Sequence, residues 1–172
     1  QFSLAPTLGV SVAAKRLLLL GDPQQLPQVS QGTHPEPINE SALGWLMNGQ
    51  PTLPSELGFF LADSYRMHPE LCCKVSRLSY ENRLESAPPA SARSLEGVKP
   101  GLRVVEVDHS DNRVESPEEA AAVVEQVQAH LGAIWESTDE PPRPLAPGDF
   151  LIVAPYNAQV SCIRAALDAA NL

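Results

Sequence analysis

The chain has 172 residues, 43% hydrophobic and 19% charged, the make-up of an ordinary globular protein with room for one domain or one domain plus part of another. Twelve basic against twenty-one acidic residues give a net charge of −9, the opposite of a nucleic-acid-binding footprint, although overall charge is a weak guide to local charge in a groove. No apolar run is long enough to span a membrane, Gln1-Phe2-Ser3-Leu4 has no basic leader, and three cysteines without Cys-x-x-Cys spacing argue against a disulfide framework or a zinc site, so the cytoplasm is the default.

Residues 3 to 14 are weakly helical at best, interrupted by Pro6 and Gly9, and lead into a strand at 16 to 20. Leu17-Leu18-Leu19-Leu20 has no polar alternation, which suits a strand buried on both faces of a parallel sheet. Gly21-Asp22-Pro23 marks its carboxyl end, where open α/β sheets bind ligands. In Gly21-Asp22-Pro23-Gln24-Gln25-Leu26-Pro27 two prolines restrict the backbone, Asp22 is an acceptor, and Gln24 and Gln25 donate without adding charge, which reads as a phosphate-sensing loop, although the same chemistry alone also fits any strand-to-loop turn. Residues 28 to 40 read as a loop, after which Ser41 is placed to cap a short helix through Leu43, Leu46 and Met47 that Asn48-Gly49 stops. The segment 50 to 57, with Pro51 and Pro54, reads as a domain boundary.

Strands and helices alternate from there. A strand is expected at 58 to 63, then a helix from Pro69 with Leu71, Val75 and Leu78 on one face, ending near Tyr80-Glu81-Asn82. Cys72 and Cys73 fall on this helix and read as buried free thiols. A Pro-rich excursion from 86 to 101 precedes a strand at 102 to 107. Ser116-Pro117-Glu118-Glu119 is a capping box, and Ala120, Val123, Val124, Val127, Leu131 and Ile134 form one apolar face behind it. A loop from 137 to 148 leads to a strand at 149 to 154 and a helix with Val160, Ile163 and Leu167 inward. Alternation of this kind implies a parallel sheet with right-handed crossovers.

Three segments carry a resemblance. Gly-Asp-Pro-x-Gln-Leu-Pro after a hydrophobic strand resembles the third motif of superfamily 1 helicases. Ser64-Tyr65-Arg66-Met67-His68-Pro69 is similar to the Tyr-Arg-Met-His-Pro motif that opens the second motor domain of that superfamily. Pro155-Tyr156-Asn157-Ala158-Gln159 is similar to its Pro-Tyr-x-x-Gln segment. Three segments in the expected order point to the branch that includes the nonsense-mediated-decay helicase and the immunoglobulin-mu-binding helicase, over nearly the whole chain. The resemblance implies an incomplete RecA-like α/β fold of P-loop NTPase type, with residues 1–50 ending the first motor domain, 51–57 a linker and 58–172 beginning the second. The Asp-Glu pair of the family would precede Gln1, and no Gly-x-x-x-x-Gly-Lys-Ser/Thr occurs, so a fragment is expected that alone neither hydrolyses ATP nor binds it tightly.

By the same resemblance, the intact parent uses ATP and Mg2+ and moves on single-stranded DNA or RNA, with the remainder of the motor domains as this chain's missing partner and no metal held by it. Arg66 would be an arginine finger to the γ-phosphate, a device that accelerates turnover by roughly three to five orders of magnitude, or about 4 to 7 kcal/mol of barrier. The alternative is a surface arginine paired with Glu70 or Asp63. Gln25 would touch the γ-phosphate or its water, the alternative being a glutamine that only stabilises its loop; Gly21 and Asp22 would bind the nucleotide with it, and Tyr65 would stack on the adenine, the alternative being a half-buried core tyrosine. His68 reads as a helix-start residue. Pro155, Tyr156 and Asn157 would contact the sugar-phosphate backbone or a base, with Gln159 turning back to hold that loop. Glu106-Val107-Asp108-His109-Ser110-Asp111 has the look of a metal or nuclease site but lacks the lysine such sites use, and reads as a solvated strand end. A non-catalytic interaction module derived from a helicase domain is the competing function, suggested by acidity and the Pro-rich loops.

Overall fold

The computed structural model describes residues 2–26, 32 and 34–172; Pro27, which closes the heptapeptide, and 28–31 of the expected loop lie outside them. The chain divides into two compact units, one of residues 1–64 and 72–85, the other of 65–71 and 86–172.

The first unit opens with α1 (Leu4–Ser11). The sequence predicts at best a weak helix here, but Pro6 falls in the first turn, where its missing N–H has no intrahelical partner to lose. The entry is tied down by Leu4 N donating to Glu40 O at 2.9 Å and Ala42 N donating to Phe2 O at 3.0 Å. Helix α2 (Ala42–Met47) forms as its ends predict: Ser41 Oγ accepts from Gly44 N at 2.8 Å, and Asn48 stops it in the left-handed region at φ 49°.

The third helix, α3 (Pro69–Ser79), starts at the expected proline and ends where Glu81 and Asn82 turn left-handed, with φ of 53° and 61°. Its buried positions are Cys72 and Ser76, one turn apart; Leu71 and Val75 are half-buried, while Leu78 and Cys73 are exposed, against expectation. The reason is the reversal at 81–82, which brings Leu84 N back to Ser76 Oγ at 2.9 Å and lays the returning chain on the Cys72–Ser76 face. Two short strands, β1 (Asp63–Ser64) and β2 (Glu85–Ser86), which flank this helix in sequence, form a two-stranded sheet, with Glu85 N donating to Ala62 O at 2.8 Å.

The second unit holds α4 (Pro88–Ser91), β3 (Ser94–Leu95), α5 (Pro117–His130), β4 (Ile134–Glu136), β5 (Arg143–Pro144), a 3-10 turn (Pro147–Asp149) and α6 (Asn157–Ala169). Strands β3, β4 and β5 make an antiparallel sheet in that order, registering Leu95 with Trp135 and Trp135 with Arg143. Both Pro-rich segments read as loops therefore contain pairing residues. Strands of two residues have no readable period. Helix α5 stops at His130, because Gly132 turns the chain at φ 82°, so Ile134 belongs to β4 and Leu131 is exposed. Helices α5 and α6 pack together, and Ala120 and Val127 of α5 and Gln159 and Ile163 of α6 are buried; Leu167 is half-buried and Val160 exposed.

The parallel sheet expected from four apolar runs is not formed as such among the described residues. Segments 17–20, 102–107 and 150–154 carry no ladder, and of 58–63 only Asp63 enters a strand. An apolar run supplies side chains for both faces of a strand, but the strand itself exists only when a neighbouring backbone takes its N–H and C=O groups. Leu18 and Leu20 are each 81% exposed, and Leu151 is 91% exposed, so these runs lack the neighbours for which they are composed. The result is an incomplete α/β arrangement.

Candidate nucleotide-sensing site

Asp22 organises the loop that follows the leucine run. Its Oδ1 accepts from Gln24 N at 3.0 Å and its main-chain O from Gln25 N at 3.2 Å, a turn stiffened by Pro23. Its Oδ2 accepts from Gln25 Nε2 at 3.1 Å and from the Tyr80 hydroxyl at 2.5 Å. Gln24 Nε2 reaches Pro51 O at 3.1 Å. Gly21, Asp22 and Gln25 therefore belong to one turn, with Asp22 half-buried and Gln25 exposed.

Tyr80 stands at the end of α3, its ring 6.0 Å from that of Phe60 and tilted by 48°. Arg83 covers Phe60 with its guanidinium carbon 4.8 Å from the ring centroid, and donates from Nη1 to Thr52 Oγ1 at 2.7 Å. Thr52, buried, donates in turn to Glu81. Burial, then the hydrogen bond and the charge of Asp22, push the Tyr80 phenol up to about 12. Sequence reading missed Tyr80: it lies 58 positions from Asp22, and a tyrosine at a helix end carries no signal of such a partner.

A cavity of about 400 Å³ adjoins the loop, lined by Phe2, Val10, Leu18, Leu20, Gly21 and Asp22 among others. Asp22 is its one charged lining residue, so it has no cation for a phosphate.

In the second unit, Tyr65 and Arg66 are both exposed. The backbone around Arg66 is fixed from elsewhere: Arg93 Nη1 donates to Arg66 O at 2.8 Å, and Ser86 Oγ donates to Met67 O at 2.7 Å. His68 Nδ1 accepts from Glu70 N at 3.2 Å, the helix-start role expected of it. The ion pairs among the described residues join Arg143 to Glu140 and to Asp149; Arg66 takes part in neither. Tyr65 is 65% exposed and fills no core position among the described residues.

Pro155, Tyr156 and Asn157 are exposed at the entry to α6. Gln159 does not turn back on that segment. It is buried and bonded to Ser116 at the start of α5. Among the described residues no group of three or more His, Cys, Asp or Glu side chains is placed to hold a metal ion, and the Glu106–Asp111 stretch is mostly exposed.

Residues 39–172 match the family model described as the AAA domain, and the chain belongs to that family. No curated protein and no solved structure matches it. The family is helicase-like and of P-loop NTPase type, and its members generally use ATP and Mg2+. The donors in this chain fit that pair of ligands only in part. It offers a free cation in Arg66, an amide in Gln25 and a flat ring in Tyr65, but no carboxylate cluster for magnesium among the described residues. No helix among the described residues is long and apolar enough to cross a membrane.

Proposed function

We propose that this chain is a section of an ATP-dependent helicase or translocase of superfamily 1, in the branch of the nonsense-mediated-decay and immunoglobulin-mu-binding helicases. On this reading residues 1–50 end the first motor domain, 51–57 link, and 58–172 begin the second. Arg66 is the arginine finger, Gln25 the γ-phosphate sensor, Gly21 and Asp22 nucleotide-binding residues of the same loop, and Tyr65 the adenine platform. Pro155, Tyr156 and Asn157 meet single-stranded DNA or RNA. The observation that carries the reading is Arg66: an exposed guanidinium outside every ion pair of the described residues, on a backbone held by Arg93 and, one residue on, by Ser86. A positioned cation with no internal partner is suited to charge that arrives with a ligand.

Phosphoryl transfer also needs a phosphate cradle and a metal carboxylate, which this section does not contribute, so the chain alone neither hydrolyses ATP nor binds it tightly. Low-micromolar stoichiometric ATP binding by the chain alone would refute that division of labour. The principal test is ATP turnover by the complete protein, with and without single-stranded DNA, beside Arg66→Ala. Turnover that rises with DNA and collapses in the variant supports the motor and the finger; DNA-stimulated turnover indifferent to Arg66 keeps the motor and discards the finger. A complete protein without turnover favours the second reading, a non-catalytic interaction module, which the net charge of −9 suits.

A further inference from the structure

The exposed glutamine of the sensing loop is held by an aspartate that is itself held by Tyr80, a half-buried side chain packed on Phe60. Asp22 has two carboxylate oxygens, and the turn uses only Oδ1. The direction of Oδ2 is set by the Tyr80 hydroxyl at 2.5 Å, and the same oxygen receives Gln25 Nε2 at 3.1 Å. An ionised carboxylate only accepts, so the Gln25 amide is turned with its nitrogen toward Asp22 and its oxygen away. A hydrogen bond between exposed side chains alone exchanges readily with water. Here the contacts continue beyond the pair: Tyr80 packs on half-buried Phe60, and exposed Arg83 covers Phe60 and is bonded to buried Thr52.

We propose that Tyr80 is a positioning residue for Gln25, acting through Asp22, an inference that rests on the reading of Gln25 as the phosphate sensor. Tyr80 touches no nucleotide in this scheme. It sets which way the sensor's amide faces and how firmly it is held before a phosphate competes for it.

Tyr80→Phe removes the hydroxyl and keeps the ring against Phe60. In the full chain, side-chain amide exchange of Gln25 is followed by nitrogen-15 NMR, with exposed Gln128 as the internal reference. The wild-type Gln25 amide is expected to exchange about tenfold more slowly than Gln128, and Tyr80→Phe to abolish the difference. Equal Gln25 rates in wild type and Tyr80→Phe would overturn the proposal. Should that variant fold poorly, Asp22→Asn gives a second measure: the Tyr80 phenol, titrated by absorbance, is expected to fall from about 12 while burial keeps it above an ordinary phenol. A midpoint unmoved in Asp22→Asn would also overturn it. Turnover of the complete protein separates the two ideas. Tyr80→Phe that loosens Gln25 and lowers kcat at unchanged KM supports both; loosened Gln25 with unchanged kcat supports the positioning contact and refutes the sensor.

Discussion

Gln159 on α6 closes the N-terminus of α5 at Ser116: its Oε1 accepts from Ser116 N at 2.6 Å, and its Nε2 donates to Ser116 O at 3.2 Å. In a capping box that backbone N–H would go to the side chain of Glu119. Here the outward half of the box is made, Ser116 Oγ accepting from Glu119 N at 3.1 Å, and the return half is supplied by a residue 43 positions away. One buried amide thus joins the two largest helices of the second unit.

Truncating that amide leaves the buried Ser116 N–H without its partner, while Ser116 O keeps the N–H of Ala120 at 3.1 Å. Gln159→Ala is expected to cost about 2–3 kcal/mol, read as a lower denaturant midpoint by circular dichroism at unchanged slope. Ser116→Ala, which loses the cap and the hydroxyl's bond to Glu118, should cost about 1 kcal/mol. Equal losses in the two variants would show that Gln159 contributes nothing beyond the cap.

Arg66→Ala should leave folding stability within about 0.5 kcal/mol of wild type, since the side chain is exposed and its carbonyl contact with Arg93 survives. ATP turnover of the complete protein should fall by roughly three orders of magnitude or more, and Arg66→Lys should restore little of it, because the planar fork is lost. A stability loss of several kcal/mol would place Arg66 among structural residues instead.

Tyr80 gives the fold an alkaline limit. Its phenol is raised to about 12 in the folded chain, above the ordinary value of 10.0, so the protonated group's contribution is complete below pH 10 and is lost as pH rises through about 12. Thermal unfolding of wild type and Tyr80→Phe should converge across that window. Parallel curves would show that the hydroxyl does not couple to folding.

Asp149 works in the opposite direction. Two hydrogen bonds from Arg143, at 2.8 Å each, and one from Ala146 N at 2.7 Å hold its carboxyl down at about 2, below its ordinary 3.8. A lowered pKa contributes stability above pH 3.8 that is lost as pH falls through about 2. Carbon-13 titration of the Asp149 carboxyl should place its midpoint near 2, and Arg143→Gln should return it toward 3.8. A wild-type midpoint at the ordinary value would show that the clamp does not persist in solution.

Local signals in the sequence proved sufficient wherever one segment satisfies itself. Ser41 and Asn48 bound α2, Pro69 begins α3, and Ser116-Pro117 begins α5, because caps act within one turn of the residue that makes them. A helicase-like family of P-loop NTPase type was legible too, since motif residues are contiguous in the chain. The candidate site was legible only as separate pieces: Gly21, Asp22 and Gln25 in one segment, Tyr65 and Arg66 in another, Pro155 to Asn157 in a third.

What the tertiary structure alone decided are the partners. The sequence by itself determined the helices with strong caps, the turn at Gly21-Asp22-Pro23 and the composition of the apolar runs. It could not determine that Tyr80 holds Asp22, that Arg93 holds Arg66, or that Gln159 completes the cap of α5. Nor could it tell that 17–20 and 102–107 carry no ladder, or that 94–95 and 143–144 do pair. Caps and turns are properties of a few neighbouring residues, whereas a ladder or a side-chain mount needs a second stretch of chain that only folding brings within hydrogen-bonding distance.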